Sequence, residues 1–344
     1  ISMLPLQNSG WTAGLHIPGR SEILPCELRY VTPGYFAAMG VALRRGRDFT
    51  SRDMAGQPLV IVLRCIPCEQ CVKLDDDLVD KDERLRPLLE KFVRVRLISA
   101  NGLDLSLFQY DTDQSFAVFL MNADRTIYGR FGTRSDQRNW TDDVSIAGLA
   151  KALEGALALH QAYPANKAQL AGKIGPAPDF AVPESYPRLA GKYGPELDYQ
   201  GNVVQSCIHC HQIGDAQRQY YRDQGGALPE RVLFQYPHPK SIGLILDPEQ
   251  RATILRVESG SIAEKSGFKA GDEIQSLDSQ PLLSMADVQW ALHHVPAAGG
   301  THGTRVPLRL LPERLARLRQ APWQQSGGRD GAVPRPVVQL FAAR

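Results

Sequence analysis

The sequence predicts an α/β unit followed by a mainly-β unit, with a small cysteine-bearing segment between them. Three observations carry this. Residues 57–160 read, in order, as strand, cysteine cluster, helix, strand, hairpin and helix. Cys207-Ile208-His209-Cys210-His211 sets two cysteines and an adjoining histidine in one short stretch. Residues 241–294 hold short β-branched runs punctuated by glycines, then one amphipathic helix.

Size and charge bound the function. The 344 residues allow two or three domains, and 43% hydrophobic with 22% charged residues is ordinary globular composition. A net charge of +2, from 39 basic and 37 acidic residues, gives no reason to expect nucleic acid. No apolar run approaches the ~18 residues of a membrane span; the longest, Leu59 to Leu63 and Ile146 to Leu159, are short or broken by Lys151 and Glu154. Nucleotide loops, hydrolase elbows and protease motifs are absent from the sequence.

Residues 1–56 contain Pro5, Pro18, Pro25 and Pro33 and several glycines, which break regular structure, so this part is predicted to be poorly ordered. At Gln57 the pattern changes. Pro58 to Leu63 is a continuous apolar run, as expected of a strand covered on both faces. Val72 to Lys91 carries leucines at helical spacing, with Pro87 dividing it into two short helices. Phe92 to Ile98 alternates as a strand does. Phe116 to Met121 and Thr126 to Phe131 flank Asn122-Ala-Asp-Arg125, a hairpin signal, and Ser145 to His160 closes the unit as an amphipathic helix. Taken together, residues 57–164 have the element order of a thioredoxin-like α/β domain. Residues 165–235 are rich in Pro, Gly, Lys and Tyr without a period and read as a linker carrying the CxxCH segment. Residues 236–311 form the mainly-β unit, and 312–344 read as an irregular tail.

Five of the six cysteines lie in two clusters, which is the pattern of redox or metal chemistry and not of a dispersed disulfide framework. The first cluster is Cys65-Ile-Pro-Cys68-Glu-Gln-Cys71. A CxxC at the start of a helix gains thiolate stability from the helix N–H groups. Two pairs are available, Cys65/Cys68 and Cys68/Cys71. The distance from Pro58 and the Val72-Lys-Leu-Asp stretch that follows resemble thioredoxin-like proteins more closely for the second pair, and that resemblance implies Cys68 as nucleophile and Cys71 as resolving thiol, with Cys65 auxiliary; structural metal or inert thiols are the alternatives. In the second cluster, Cys207 and Cys210 have the spacing to hold a porphyrin's two vinyl positions, with His211 as the iron ligand of a haem c. The alternatives are zinc on Cys207, Cys210 and His209 or His211 with one distant ligand, and a Cys207–Cys210 disulfide. His238 is the nearest downstream imidazole for a sixth haem ligand. Cys26 is isolated, and Asp75, Asp76 and Asp77 read as a solvated acidic helix start.

Two resemblances add to this. Tyr30 to Thr50, with its Thr-Pro-Gly-Tyr-Phe and Arg-Gly-Arg-Asp-Phe strings, resembles a piece of the periplasmic domain of MacB-like transporter permeases, too short to imply transport. Ser241-Ile-Gly-Leu-Ile-Leu246 followed by Gly260-Ser-Ile-Ala-Glu-Lys-Ser-Gly-Phe-Lys-Ala-Gly-Asp-Glu-Ile274 is similar to a bacterial PDZ domain. That resemblance implies that Ile242, Gly243, Leu244 and Ile245 present backbone N–H groups to a peptide carboxylate. A helix from Ala286 to His294 would flank the groove, with His293 or His294 facing the ligand or forming a solvated helix end. Residues 57–311 as a whole resemble the thioredoxin-like/PDZ (seleno)protein family of bacteria. In thioredoxins a cis-proline precedes the third strand; here the stretch is Asp113-Gln114-Ser115-Phe116.

The resulting expectation is an extracytoplasmic thiol-redox and electron-transfer protein that docks a partner's C-terminus or peptide and exchanges electrons with a thiol partner. The periplasmic placement follows from the haem motif, because covalent haem is added outside the cytoplasm. The alternative is a PDZ scaffold with an inactive thioredoxin-like module and a structural metal at CxxCH.

Overall fold

The computed structural model describes residues 11–16, 23–28, 56–64, 82–114, 116–133, 143–198, 200–294 and 337–339, with backbone alone at the first two stretches and the last. Besides several one-turn helices, its elements are β1 (Trp11–His16), β2 (Ile23–Leu28), β3 (Leu59–Arg64), α1 (Arg86–Leu89), β4 (Val93–Leu97), β5 (Phe116–Met121), β6 (Ile127–Phe131), α2 (Ile146–Gln161), α3 (Cys210–Asp223), β7 (Leu244–Leu246), β8 (Ile254–Val257), α4 (Ile262–Lys265), β9 (Glu273–Leu277), β10 (Gln280–Pro281), α5 (Met285–His293) and β11 (Val337–Gln339). Packing divides the chain into two units, Ile1–Ile127 with Pro176–Gly225 and Tyr128–Gly175 with Gly226–Arg344.

Unit 1 is organised by a sheet in which β4, β3 and β5 lie side by side. β3 runs parallel to β4, from Leu59↔Val93 to Leu63↔Leu97, and antiparallel to β5, from Leu59↔Met121 to Arg64↔Phe116. The apolar runs explain the centre of the sheet: all six residues of β5 are buried, as a strand covered on both faces requires. The hairpin turn falls where predicted, with Asn122 N–H donating to Thr126 O at 2.8 Å and Arg125 at a positive φ of 71°. Pro87 opens α1 and does not interrupt it, since a proline in the first helical turn forfeits no internal hydrogen bond.

The predicted linker is corrected by the packing. Within residues 176–225, Tyr186, Leu189, Ile208, Cys210, Ile213 and Ala216 are buried in one core with Leu63, Leu97, Phe119 and Ile127. Phe180 and Tyr220 make edge-on contact at 5.1 Å, and α3 runs for 14 residues. Gly214 lets α3 sit tight on the loop before β5: a Cβ there would meet Thr112 Oγ1 at 2.5 Å. Proline and glycine hide this segment from periodicity, yet its aromatic and branched residues supply ample apolar surface to bury.

The terminal stretches also hold strands. β1 and β2 form an antiparallel ribbon, Trp11↔Leu28 to His16↔Ile23, in the part predicted to be poorly ordered, and β11 of the tail runs parallel to β9. The permease-like stretch 30–50 lies outside the described residues, as do Asp75, Asp76 and Asp77.

In unit 2 a core of Ile242, Leu244, Ile254, Phe268, Ile274, Val288 and Leu292 joins β7, β8, β9 and α5. Around α5 the interior is charged. Asp287 and Lys173 are fully buried and meet at 2.8 Å, while Lys173 Nζ also donates to Pro281 O at 2.6 Å. Asp287 accepts from Leu283 N–H at 2.9 Å and Arg130 N–H at 3.2 Å. Arg130 lies 3.6 Å over the Trp290 ring and donates to Lys173 O at 2.7 Å. Burial pulls the Arg130 guanidinium down to about 10 and lowers Lys173, with the Asp287 charge opposing both shifts.

Candidate functional site: a cysteine-bearing sheet end and a peptide-type loop

In unit 1 the carboxyl ends of the parallel strands β3 and β4 are the focus. Leu63 faces Leu97 in register, and Arg64 is the last residue of β3. Cys65 follows Arg64 in the chain, so the first cysteine cluster leaves the sheet at this end; Cys65, Cys68 and Cys71 themselves lie outside the described residues. Open α/β sheets place their chemistry beyond the carboxyl ends of parallel strands. The first residue of β5, Phe116, is paired with Arg64, and the residue before it in the chain is a serine, not a proline; Ser115 itself lies outside the described residues.

The second cluster is tied to the same end. Ala100, three residues beyond β4, donates its N–H to Ile208 O at 3.1 Å. Asn101 completes the latch: its Oδ1 accepts from Ile208 N–H at 2.8 Å, and its Nδ2 donates to Ser206 O and Gly194 O, both at 2.9 Å. Sequence reading missed Asn101 because nothing marks a single amide whose partners lie about a hundred residues away. Cys210 opens α3 and is 2% exposed, in the core that holds Leu63 and Leu97. Cys207 is 1% exposed and packs in a separate cluster with Ile98, Leu197 and Val203. His209 is half-buried, its N–H donating to Gln212 Oε1 at 2.8 Å; burial, then the neighbouring His211, lowers its pKa.

This arrangement does not fit a haem c. Thioether attachment needs both sulfurs and the adjoining imidazole to meet one porphyrin. Here the sulfurs are enclosed in two different clusters, whereas His211 is exposed. His238, considered as a sixth ligand, is engaged elsewhere. Its Nδ1 accepts from Lys240 N–H at 3.2 Å, and its Nε2 lies 3.3 Å from Asp143 Oδ1, the oxygen that Lys240 Nζ meets at 3.0 Å. Among the described residues no group of three or more His, Cys, Asp or Glu side chains converges as a metal site.

In unit 2 the Ile242–Ile245 loop is built around Gly243, at φ 84°, where a Cβ would strike Ser261 at 2.2 Å. Gly243 N–H donates to Lys240 O at 3.0 Å, and Gly243 O accepts from Glu258 N–H at 2.9 Å. Ile242 and Leu244 are buried with Met285, Val288 and Leu292 of α5, while Ile245 is half-buried. β7 pairs antiparallel with β8, Leu244↔Val257 and Ile245↔Arg256, and among the described residues no strand covers its other edge. That edge has the backbone chemistry to accept an added strand. His293 is not a solvated helix end. Tyr236 stacks on it at 4.4 Å and donates its N–H to Nδ1 at 3.3 Å, and burial brings its pKa down to about 4, helped by His294 and Arg231.

A family model described as thioredoxin-like matches residues 50–123, spanning β3 through β5 and the first cysteine cluster. A PDZ domain model matches residues 253–297, from β8 through α5, so the Ile242–Ile245 loop lies just ahead of the matched span. No curated protein and no solved structure matches the chain. The chain thus carries a thioredoxin-like domain and a PDZ domain.

Proposed function

We propose that the chain is a thiol–disulfide exchange protein that uses its PDZ domain to hold a partner polypeptide. The carrying observation is the exit of Cys65-x-x-Cys68-x-x-Cys71 from the carboxyl end of the parallel β3–β4 pair, within the thioredoxin-like match. In this reading Cys68 attacks a partner disulfide, Cys71 resolves the mixed disulfide, and Cys65 is auxiliary. The loop Ile242, Gly243, Leu244, Ile245 and the open edge of β7 would take the partner's C-terminus or an extended segment. Tethering both functions on one chain raises the effective concentration of the partner's disulfide near the thiols.

Thiol titration in graded redox buffers tests this: Cys68 and Cys71 should oxidise together in one two-electron step, roughly between −200 and −270 mV. Independent, unreactive thiols would refute it. The haem c expected on Cys207, Cys210 and His211, and the extracytoplasmic placement drawn from it, belong to a separate test. Haem staining of denatured protein made alongside the haem-attachment machinery detects a thioether-linked porphyrin, and a colourless chain removes both.

One observation favours the scaffold alternative. Phe116, the register partner of Arg64, is preceded in the chain by Ser115, at the sequence position where thioredoxins carry the proline that helps seat substrate. Under that reading peptide binding survives mutation of all three clustered thiols, and no disulfide substrate is turned over.

A further inference from the structure

We propose that Tyr236 and the chain around it form a strap that closes the α5 side of the peptide groove and swings away when a partner's segment enters. This rests on the docking role proposed above for the PDZ domain and adds its regulation.

The helix leaves one side for a ligand. α5 turns Met285, Val288 and Leu292 into the core, while Asp287 and Trp290 are committed to Lys173 Nζ at 2.8 Å and to Gly172 O at 2.9 Å. The remaining side carries Gln289 and His293, one turn apart and adjoining Met285 and Leu292. That side is taken by the chain itself. Tyr236 N–H donates to His293 Nδ1 at 3.3 Å, Gln289 Nε2 donates to Tyr236 O at 2.8 Å, and the Tyr236 ring stacks on His293 at 4.4 Å. Gln289 Oε1 in turn accepts from Thr133 Oγ1, so both ends of its amide are engaged and the residue is 4% exposed. One wall of the groove is therefore satisfied internally, whereas among the described residues no strand covers the facing edge of β7.

Three features make this contact a reversible one. Tyr236 has a φ of 46°, in the left-handed region that a bulky side chain enters only at a cost, so the closed form persists through its contacts with α5. Leu233 and Phe234, just ahead of it, are more than half exposed, so the arm of the strap gains little from packing. Buried Val232 and Pro239 pin the two ends, and residues 233–238 between them can move without disturbing either post. Opening gives up two hydrogen bonds and one stacked pair and releases the strained backbone. An extended segment added along β7 then brings its own N–H and C=O groups, the donor that His293 Nδ1 loses and the acceptor that Gln289 Nε2 loses.

The test uses the full chain, as wild type and as Tyr236→Pro. Proline holds φ near about −65° and has no N–H, so the variant cannot take the closed form. Both proteins are panned against a phage library of random C-terminal heptapeptides, and the selected peptides are titrated into each by calorimetry. The peptides should bind Tyr236→Pro about fivefold or more tightly than wild type, the factor by which the closed form depletes the competent one. In wild type, added peptide should speed hydrogen exchange at residues 233–238 while α5 stays protected. Equal or weaker binding to the variant, or strap residues that gain protection when peptide binds, overturns the strap and leaves the docking role standing. A library that yields no binder on either protein removes the docking role and the strap with it. Tyr236→Ala, which deletes the stacked ring alone, should give a smaller gain of the same sign. The wild-type exchange experiment decides the matter even where Tyr236→Pro does not fold.

Discussion

Unit 1 ties down its cysteine segment with a neutral side chain, the Asn101 amide, whereas unit 2 locks its peptide-domain helix with ions buried out of water. An amide can satisfy several backbone groups without a charge, and the segment it holds is kept in place by those hydrogen bonds together with the burial of Ile208, Cys210 and Ile213 in the core. A buried Lys–Asp pair is costlier to assemble and far costlier to break, because either partner left alone is an uncompensated charge in the interior. The buried cysteine segment is thus fastened by neutral hydrogen bonds, and the helix beside the docking loop by buried ions.

The largest test of that contrast is Asp287→Ala. It strands Lys173 and removes an acceptor from the backbone N–H groups of Leu283 and Arg130, and should cost about 3–5 kcal/mol in chemical denaturation of unit 2. Pairing it with Lys173→Met should recover much of the loss, since the pair replaced by apolar groups leaves no orphan charge. A cost for the single change no larger than for an exposed residue would erase the distinction between the units.

Next in size is acid. His293 has a folded pKa of about 4 against an unfolded value near 6.5, so between those values the unfolded chain binds a proton that the folded chain does not. Stability is therefore full above pH 6.5, falls as pH drops, and is lost to the extent of about 3 kcal/mol once pH passes 4. His293→Asn keeps an acceptor for Tyr236 N–H without the titration and should flatten this part of the pH–stability curve.

What the sequence made legible was what repeats locally. β3 and β5 were readable as unbroken apolar runs, the hairpin as Asn122 to Arg125, and the peptide-type unit through turn glycines such as Gly243. What it concealed depends on partners far along the chain. Lys173, in a stretch of prolines and glycines, looks like a solvated linker residue, and only the fold shows it inside the protein against Asp287. The burial of Tyr186 and Ile213 was hidden for the same reason, since apolar residues in irregular backbone have no period to detect. The CxxCH pattern was conspicuous, but a five-residue string does not say which way its side chains point; burial of both sulfurs with His211 exposed came from α3 docking on the core.

The smaller effects sharpen the comparison from the side of unit 1. Asn101→Ala deletes three hydrogen bonds and leaves the N–H of buried Ile208 without its acceptor, at about 1–3 kcal/mol. Because those bonds hold the segment that buries Cys207 and Cys210, alkylation of both thiols under native conditions should accelerate by the corresponding factor, roughly fivefold or more. Equal alkylation rates in wild type and variant would mean that Asn101 is not the latch. Arg218→Ala gives the lower bound. Its guanidinium makes two 3.0 Å bonds to Asp113 across the surface between α3 and the loop before β5, and that pairing, with Asp215, holds its pKa above the usual value. Exposed pairs of this kind contribute at most about 1 kcal/mol and weaken with salt. The loss should thus be small and should shrink further in high salt, while thiol alkylation stays at the wild-type rate, separating a surface fastening of α3 from the buried amide that encloses the sulfurs.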